Sequence, residues 1–208
     1  MSRVQPAGRG VLYVIACAAP PAQNVQEFVV MAQQAKWMVC VIATPHALKF
    51  VDVPLIQQLT GYPVRSEYKK PEDPDILPRA DAFVVLPATF NTLNKLAQGI
   101  TDTLAVGLLC EYLCLGIPIV AVPNFHEWDM GRHPAIKKSI TTLRECGMCV
   151  LYEPEKYPPS NNIPWNQVLE ELHKQVERAK KERSGLRGNN EQTPDLMPRT
   201  NGPSEACR

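Results

Sequence analysis

Hydrophobic residues in this chain come in short unbroken runs, separated by stretches whose apolar positions recur at helical spacing. The run Val11-Leu12-Tyr13-Val14-Ile15-Ala16-Cys17-Ala18 ends in small residues and Pro20-Pro21. So short a run, without polar alternation, suits a strand buried on both faces, as in a parallel sheet. Asn24 then predicts a helix cap, with Val25, Phe28, Val29, Ala32 and Ala35 on one helical face. Residues 37–43 predict a second buried strand ending at Thr44-Pro45, and a helix follows from about Pro54. Residues 80–86, 117–122 and 148–151 predict three further strands, with helices over 92–99, onward to Leu115, over 135–146 and over 165–181. Strands alternating with helices predict an α/β fold: a three-layer, doubly wound, mostly parallel sheet with helices on both faces.

Segments that break this alternation set the domain limits. Residues 61–78 are polar and rich in Pro, Lys and Asp, which predicts a surface loop. Beyond about residue 180 large apolar residues almost vanish. The expected organisation is a flexible N-terminus over 1–10, one ligand-binding domain over 11–179 and a disordered tail over 180–208. A chain of 208 residues suits one such domain.

Composition mainly excludes. A net charge of +1 offers no field for nucleic acid or an anionic membrane surface. The longest apolar stretches are interrupted by proline, glycine or glutamate, so no membrane span or signal peptide is expected, and a cytoplasmic setting follows. Seven scattered cysteines argue against a disulfide framework. Cys146-Gly-Met-Cys149 has CxxC spacing, but no second pair or nearby histidine cluster completes a metal site, and none is expected.

Ligands of an open parallel sheet bind beyond the carboxyl ends of its strands, where loops diverge and helix N-termini expose unpaired N–H groups. Four segments qualify: 18–22, 44–48, 87–92 and 123–130. None carries a Walker A loop or a GxGxxG turn, so nucleoside-triphosphatase and standard dinucleotide chemistry are unsupported. Pro87-Ala88-Thr89-Phe90-Asn91-Thr92 is the most informative. It puts small residues where a planar ligand could lie and hydroxyl and amide groups where they could bond its polar edge; equally, Thr89, Asn91 and Thr92 could simply cap a helix.

This segment, with Leu93-Asn94-Lys95-Leu96-Ala97-Gln98-Gly99-Ile100-Thr101-Asp102-Thr103-Leu104 after it, resembles a signature of the homo-oligomeric flavin-containing cysteine decarboxylases. That signature reads Pro-Ala-Ser-Ala-Asn-Thr, then Lys-Ile-Ala-Asn-Gly-Ile-Ala-Asp-Asn-Leu. The family includes phosphopantothenoylcysteine decarboxylase and the lantibiotic peptidyl-cysteine decarboxylases, and the resemblance covers roughly residues 11–165. It implies a flavodoxin- or Rossmann-like fold and FMN held at a subunit interface of a homotrimer or a dodecamer of trimers. Ala18, Ala19 and Thr44 would then lie near the FMN phosphate. Phe50, Pro87, Ala88, Thr89, Asn91 and Thr92 would lie near the isoalloxazine ring; a turn hydroxyl at Thr44 and a core aromatic at Phe50 are the plain alternatives. The implied reaction oxidatively decarboxylates a cysteine with a free carboxylate, in a peptide or a small molecule, to an ene-thiol.

Two departures from the family pattern concern catalysis. The family's essential histidine lies in the loop ahead of the third strand, and counting back from Pro87 places its equivalent at Asp73. The substrate clamp, Pro-Xaa-Met-Asn with a following Met-Trp, stands here as Pro123-Asn124-Phe125-His126-Glu127-Trp128-Asp129-Met130. The resemblance thus nominates Asn124, Phe125, Trp128 and Met130 against substrate. Asp73 and His126 together could restore an acid–base pair, since a carboxylate beside an imidazole raises its pKa and fixes its tautomer. Otherwise Asp73 forms a turn before Pro74, His126 is a surface histidine, and the chain is a flavin-binding or regulatory subunit without decarboxylase activity. His133 before Pro134 is expected at a helix entry, and His173 is expected to face solvent.

Overall fold

The structure is a computed structural model, which describes residues 8–125, 129–152 and 163–187. Five strands, β1 (Gly10–Ala16), β2 (Trp37–Ala43), β3 (Ala82–Ala88), β4 (Ile119–Pro123) and β5 (Cys149–Val150), form one sheet in the order β2-β1-β3-β4-β5. Every pairing is parallel, so the alternation of strand and helix has the predicted outcome.

Successive side chains of a strand face opposite ways, and β1 shows the sorting. Val11, Tyr13, Ile15 and Cys17 join the core beneath α3 (Phe90–Ala97), α4 (Leu104–Cys114) and α5 (Pro134–Glu145). Leu12, Val14 and Ala16 join the core beneath α1 (Val25–Gln34), α2 (Val53–Thr60) and α6 (Trp165–Arg187). Both faces are therefore dry, which is why the strands read as continuous apolar runs. A fully buried Phe83, Ile15 or Leu93 contributes roughly 1.5–3 kcal/mol by leaving water.

Local chemistry sets the helix ends. Asp52 caps α2, its carboxylate accepting from Leu55 N–H at 3.0 Å, and Gly61 closes it at φ 71°, a conformation that suits glycine. Thr89 and Thr103 cap α3 and α4 in the same way. Asn24 departs from expectation and makes no side-chain cap. The chain enters α1 from a 3-10 turn, Pro20–Asn24, which leaves Asn24 at φ −112°, ψ 14° rather than in the extended geometry a cap requires.

The boundary drawn at residue 180 is also corrected, because α6 continues to Arg187. Its last turns are charged, but the charges alternate in sign at helical spacing. Lys180 pairs with Glu177 at 3.2 Å and Arg178 with Glu182 at 2.9 Å, and Arg183 donates to the Gly116 carbonyl at 3.0 Å. Polarity there marks a solvated helix, not coil.

Each edge of the sheet is met at one place among the described residues. Beside β2, Ala43 N–H donates to Arg65 O at 2.8 Å and Arg65 N–H to Val41 O at 3.3 Å. Beside β5, the Arg144 guanidinium donates to the carbonyls of Val150 at 2.8 Å and Tyr152 at 3.3 Å. Leu151 N–H turns the other way, to Ala121 O at 2.9 Å.

Candidate functional site

β1 leads to β2 on one side, while β3 lies on its other side, so the chain reverses direction across the sheet between the carboxyl ends of β1 and β3. Such a switch point opens a crevice for ligand. Backbone bonds draw several strand ends together there. Cys17 N–H donates to Pro87 O at 3.3 Å, Thr44 N–H to Ala16 O at 2.9 Å and Asn124 N–H to Ala88 O at 2.9 Å. Segments picked out by sequence position alone thus share one end of the sheet.

The residues nominated for the cofactor differ in burial. Ala19, Pro87, Ala88 and Thr92 are buried, Ala18, Thr44, Phe50 and Thr89 are half-buried, and Asn91 is exposed on the first turn of α3. Alanine at 18, 19 and 88 leaves the strand-end backbone free of bulk. Thr89 Oγ1 accepts from Thr92 N–H at 3.4 Å and lies 3.0 Å from Thr92 Oγ1, so capping by Thr89 is realised. That cap leaves other first-turn N–H groups of α3 without helical acceptors, as at any helix start. Phe50 packs against the core on the α1 face, which matches the plain reading of its aromatic ring.

The substrate-side residues divide differently. Phe125 is buried in an aromatic row, its ring 6.1 Å from Phe90 and 5.2 Å from Tyr152. Phe90 also meets His133 edge-on at 5.6 Å. Asn124 is half-buried, and Met130, 54% exposed, opens a 3-10 turn capped by the Asp129 carboxylate. His126 and Trp128 lie outside the described residues.

Asp73 is exposed and folded back on its own turn. Its carboxylate accepts from Lys70 N–H at 3.1 Å, its N–H donates to Lys70 O at 3.1 Å, and its carbonyl accepts from Lys69 Nζ at 2.7 Å. Lys69 also pairs with Asp75 at 3.1 Å. Turn formation therefore accounts for Asp73 as it stands.

Among the remaining histidines, His133 stands at the entry of α5 as expected. Its Nδ1 accepts from Ala135 N–H at 3.1 Å, which assigns the ring proton to Nε2. His173 corrects the expectation of a solvent-facing ring: it is half-buried, stacks on Trp37 at 6.3 Å, and its Nε2 accepts from Trp37 Nε1 at 3.1 Å. Burial, helped by the Arg9 charge, holds its pKa below the ordinary histidine value.

Cys17, which sequence reasoning did not single out because it resembles one more apolar strand residue, stands where the end of β1 meets β3. It is fully buried, its N–H donates to Pro87 O at 3.3 Å, and burial pushes its thiol pKa up. The available signal was periodicity: residue 17 continues the 13, 15 face that points toward α3. Asn94 was also missed; it takes Ser139 Oγ at 2.7 Å and donates to Phe90 O at 2.9 Å, fixing α3 against α5. Cys149 likewise has its pKa pushed up to about 11, chiefly by burial, and keeps its proton at neutral pH. Among the described residues, no group of three or more His, Cys, Asp or Glu side chains is placed to hold a metal ion.

The fold is that of an α/β protein with a five-stranded parallel sheet whose strand order switches between β1 and β3. A family model described as Flavoprotein matches residues 22–177, most of the chain, and the chain belongs to that family. It is 33% identical over 132 residues to the coenzyme A biosynthesis bifunctional protein CoaBC of Bacillus subtilis; the match takes in 60% of this chain but only 31% of that protein. Among solved structures it is similar to the FMN-dependent cysteine decarboxylase TvaF from thioviridamide biosynthesis. The TM-score is 0.67 at 21% identity, covering 82% of this chain and 99% of that one, and this likeness speaks for the fold. The peptidyl-cysteine decarboxylase EpiD is 26% identical, with a TM-score of 0.59, covering 78% of this chain and 98% of its own. Among the described residues no helix is long and apolar enough to cross a membrane.

Proposed function

We propose that this protein binds FMN at the β1–β3 switch point and decarboxylates a cysteine carboxylate, at the C-terminus of a peptide or in a cysteinyl small molecule. The observation that carries this reading is the joining of the β1, β3 and β4 ends around the Pro87-Ala88-Thr89-Phe90-Asn91-Thr92 corner. The similarity to cysteine decarboxylases stands behind it. The corner fits such a cofactor: methyl side chains bare the backbone for a planar ring, and a hydroxyl-capped helix start turns N–H donors toward its polar edge.

In this reading Ala18, Ala19 and Thr44 flank the phosphate, while Phe50, Pro87, Ala88, Thr89, Asn91 and Thr92 surround the ring. Bound FMN supplies an acceptor for the two electrons removed from the cysteine. Asn124, Phe125, Trp128 and Met130 hold substrate, and His126 with Asp73 handles the proton. Copies of the chain assemble as a homotrimer or a dodecamer of trimers. Purified protein should show the visible absorption of oxidised flavin, and peptides ending in free cysteine should lose carbon dioxide and two hydrogens by mass. A colourless protein that also ignores added FMN would sink the reading.

The turn at Asp73 favours a second reading, a flavin-binding subunit of the same family without decarboxylase activity, because its carboxylate already serves its own loop. In that case FMN binds, no tested peptide changes mass, and a partner protein copurifies regardless of His126→Ala.

A further inference from the structure

At the amino end of the sheet a groove of about 730 Å³ lies between Arg9 and α6. Arg9 stands just ahead of β1, and its N–H donates to Lys36 O at 3.0 Å, which fixes its backbone beside the start of β2. Trp37, the first residue of β2, holds α6 over the same place: its ring stacks on His173 at 6.3 Å, and its Nε1–H donates to His173 Nε2 at 3.1 Å. The corner between β3 and α3 lies at the other end of the sheet, beyond the seven residues of β1 and so about 20 Å away.

The charges that meet in this groove do not balance. Of its lining residues, Arg178 pairs with Glu182 at 2.9 Å, Lys174 with Glu171 at 3.4 Å, and Glu177 with Lys180 at 3.2 Å. Arg9 and Lys181 also line it, and neither has a carboxylate partner among the described residues. An indole N–H only donates, so His173 Nε2 carries no hydrogen and the ring proton sits on Nδ1. Among the described residues that Nδ1–H has no acceptor. The groove therefore gathers a guanidinium, an ammonium and an imidazole N–H, all donors, around two unmatched positive charges. A phosphate monoester answers such a set, because near neutral pH it carries close to two negative charges and presents about three strong acceptor oxygens. The methylene stems of the lining lysines and arginines supply apolar surface for the carbon part of the ester.

We propose that Arg9, Lys181 and the Nδ1–H of His173 form a second binding site, for the phosphate group of a small phosphate monoester, at the end of the sheet away from the flavin corner. The site stands independently of the flavin reading. An acceptor on Nδ1 polarises the imidazole and strengthens Nε2 as the acceptor for Trp37. Filling the site thus tightens the contact that ties α6 to β2, and the Trp37 indole reports occupancy.

The test is titration of the full chain with glycerol 3-phosphate, followed by the indole N–H resonance of Trp37, which is identified by its loss in Trp37→Phe. A saturable downfield shift is expected, and sodium chloride at matched ionic strength should leave the resonance in place. Arg9→Gln and Lys181→Gln should each weaken binding about 5-fold, the upper worth of an exposed ion pair, and the double variant should abolish saturation. Lys180→Gln should bind as wild type, because Lys180 pairs with Glu177 and does not line the groove. Arg9, Lys180 and Lys181 are all exposed, so these variants should keep the wild-type thermal midpoint. A wild-type resonance that does not move, that moves equally with chloride, or that saturates unchanged in the double variant would overturn the site. A loss in Lys180→Gln equal to that in Lys181→Gln would also overturn it, by reducing the effect to the general charge of α6.

Discussion

The corner between β3 and α3 and the turn that carries Asp73 both present polar groups at the surface, yet they are held in opposite ways. The corner is tied to neighbouring strands by Cys17 N–H and Asn124 N–H, and to α5 by Asn94 and Ser139. The loop over residues 61–79 is fixed at its ends and at one point between. Arg65 pairs with β2, Tyr13 Oη donates to Pro78 O at 2.8 Å, and Tyr68 Oη donates to Thr103 O at 3.2 Å. Between these fixed points, Asp73 has the exposed lysines of its own turn for company. Under the proposed flavin reading, the difference separates two demands: a cradle for a planar ring gains from a geometry fixed by the core, whereas an exposed loop is free to change residue and position at little cost to the fold.

Substitutions can break that contrast, and the largest effect is expected at Leu93, which is fully buried under the corner. Leu93→Ala should cost about 2–5 kcal/mol, read by urea denaturation, and should lower FMN affinity as the helix start loosens. Thr89→Ala removes a cap and should cost about 1 kcal/mol while also weakening FMN; unchanged stability would show that the cap is dispensable.

Gly107→Ala probes the other region. An added Cβ there would sit 2.0 Å from Tyr68 Oη, the far end of an exposed side chain that can swing away. Alanine should then return up to about 1 kcal/mol of helix propensity, while protease cuts the 61–79 loop faster and FMN affinity holds. Protection of that loop equal to wild type would mean that Tyr68 is no anchor.

Acid supplies a check remote from both regions. The folded pKa of His173 lies below its unfolded value, so its contribution is full above the ordinary histidine range, about 6.5, and is lost as pH falls through that value toward the folded one. His173→Asn should flatten this part of the stability profile, measured by thermal midpoint, without moving FMN affinity. The smallest effect is expected at Asp73. Asp73→Asn should change stability by less than about 0.5 kcal/mol, so any fall in peptide turnover by that variant would count for chemistry at Asp73, and unchanged turnover would count against it.

Much of this was legible in the sequence, for reasons that differ by residue. Strands buried on both faces cannot hide their apolar runs, and a threonine before a helical stretch announces a cap, as Thr89 does. Cys17 was concealed because a thiol among alanines looks apolar, and its backbone partner Pro87 lies far along the chain. His173 was misjudged for the same cause, since its partner Trp37 opens β2, far back along the chain. The last turns of α6 look like coil to composition but helix to charge spacing. Asp73 is the converse case: its neighbours in sequence are its partners, so the turn reading was available from the chain alone.

The two sheet edges carry a further consequence. An uncovered edge strand is a template on which a second chain can add its own strand, the first step toward a growing cross-strand aggregate. Here the Arg65 backbone pairs with the carboxyl end of one border strand, and the Arg144 guanidinium takes two carbonyls beside the other. Strand addition by a second copy is therefore obstructed at these two points of the described sheet.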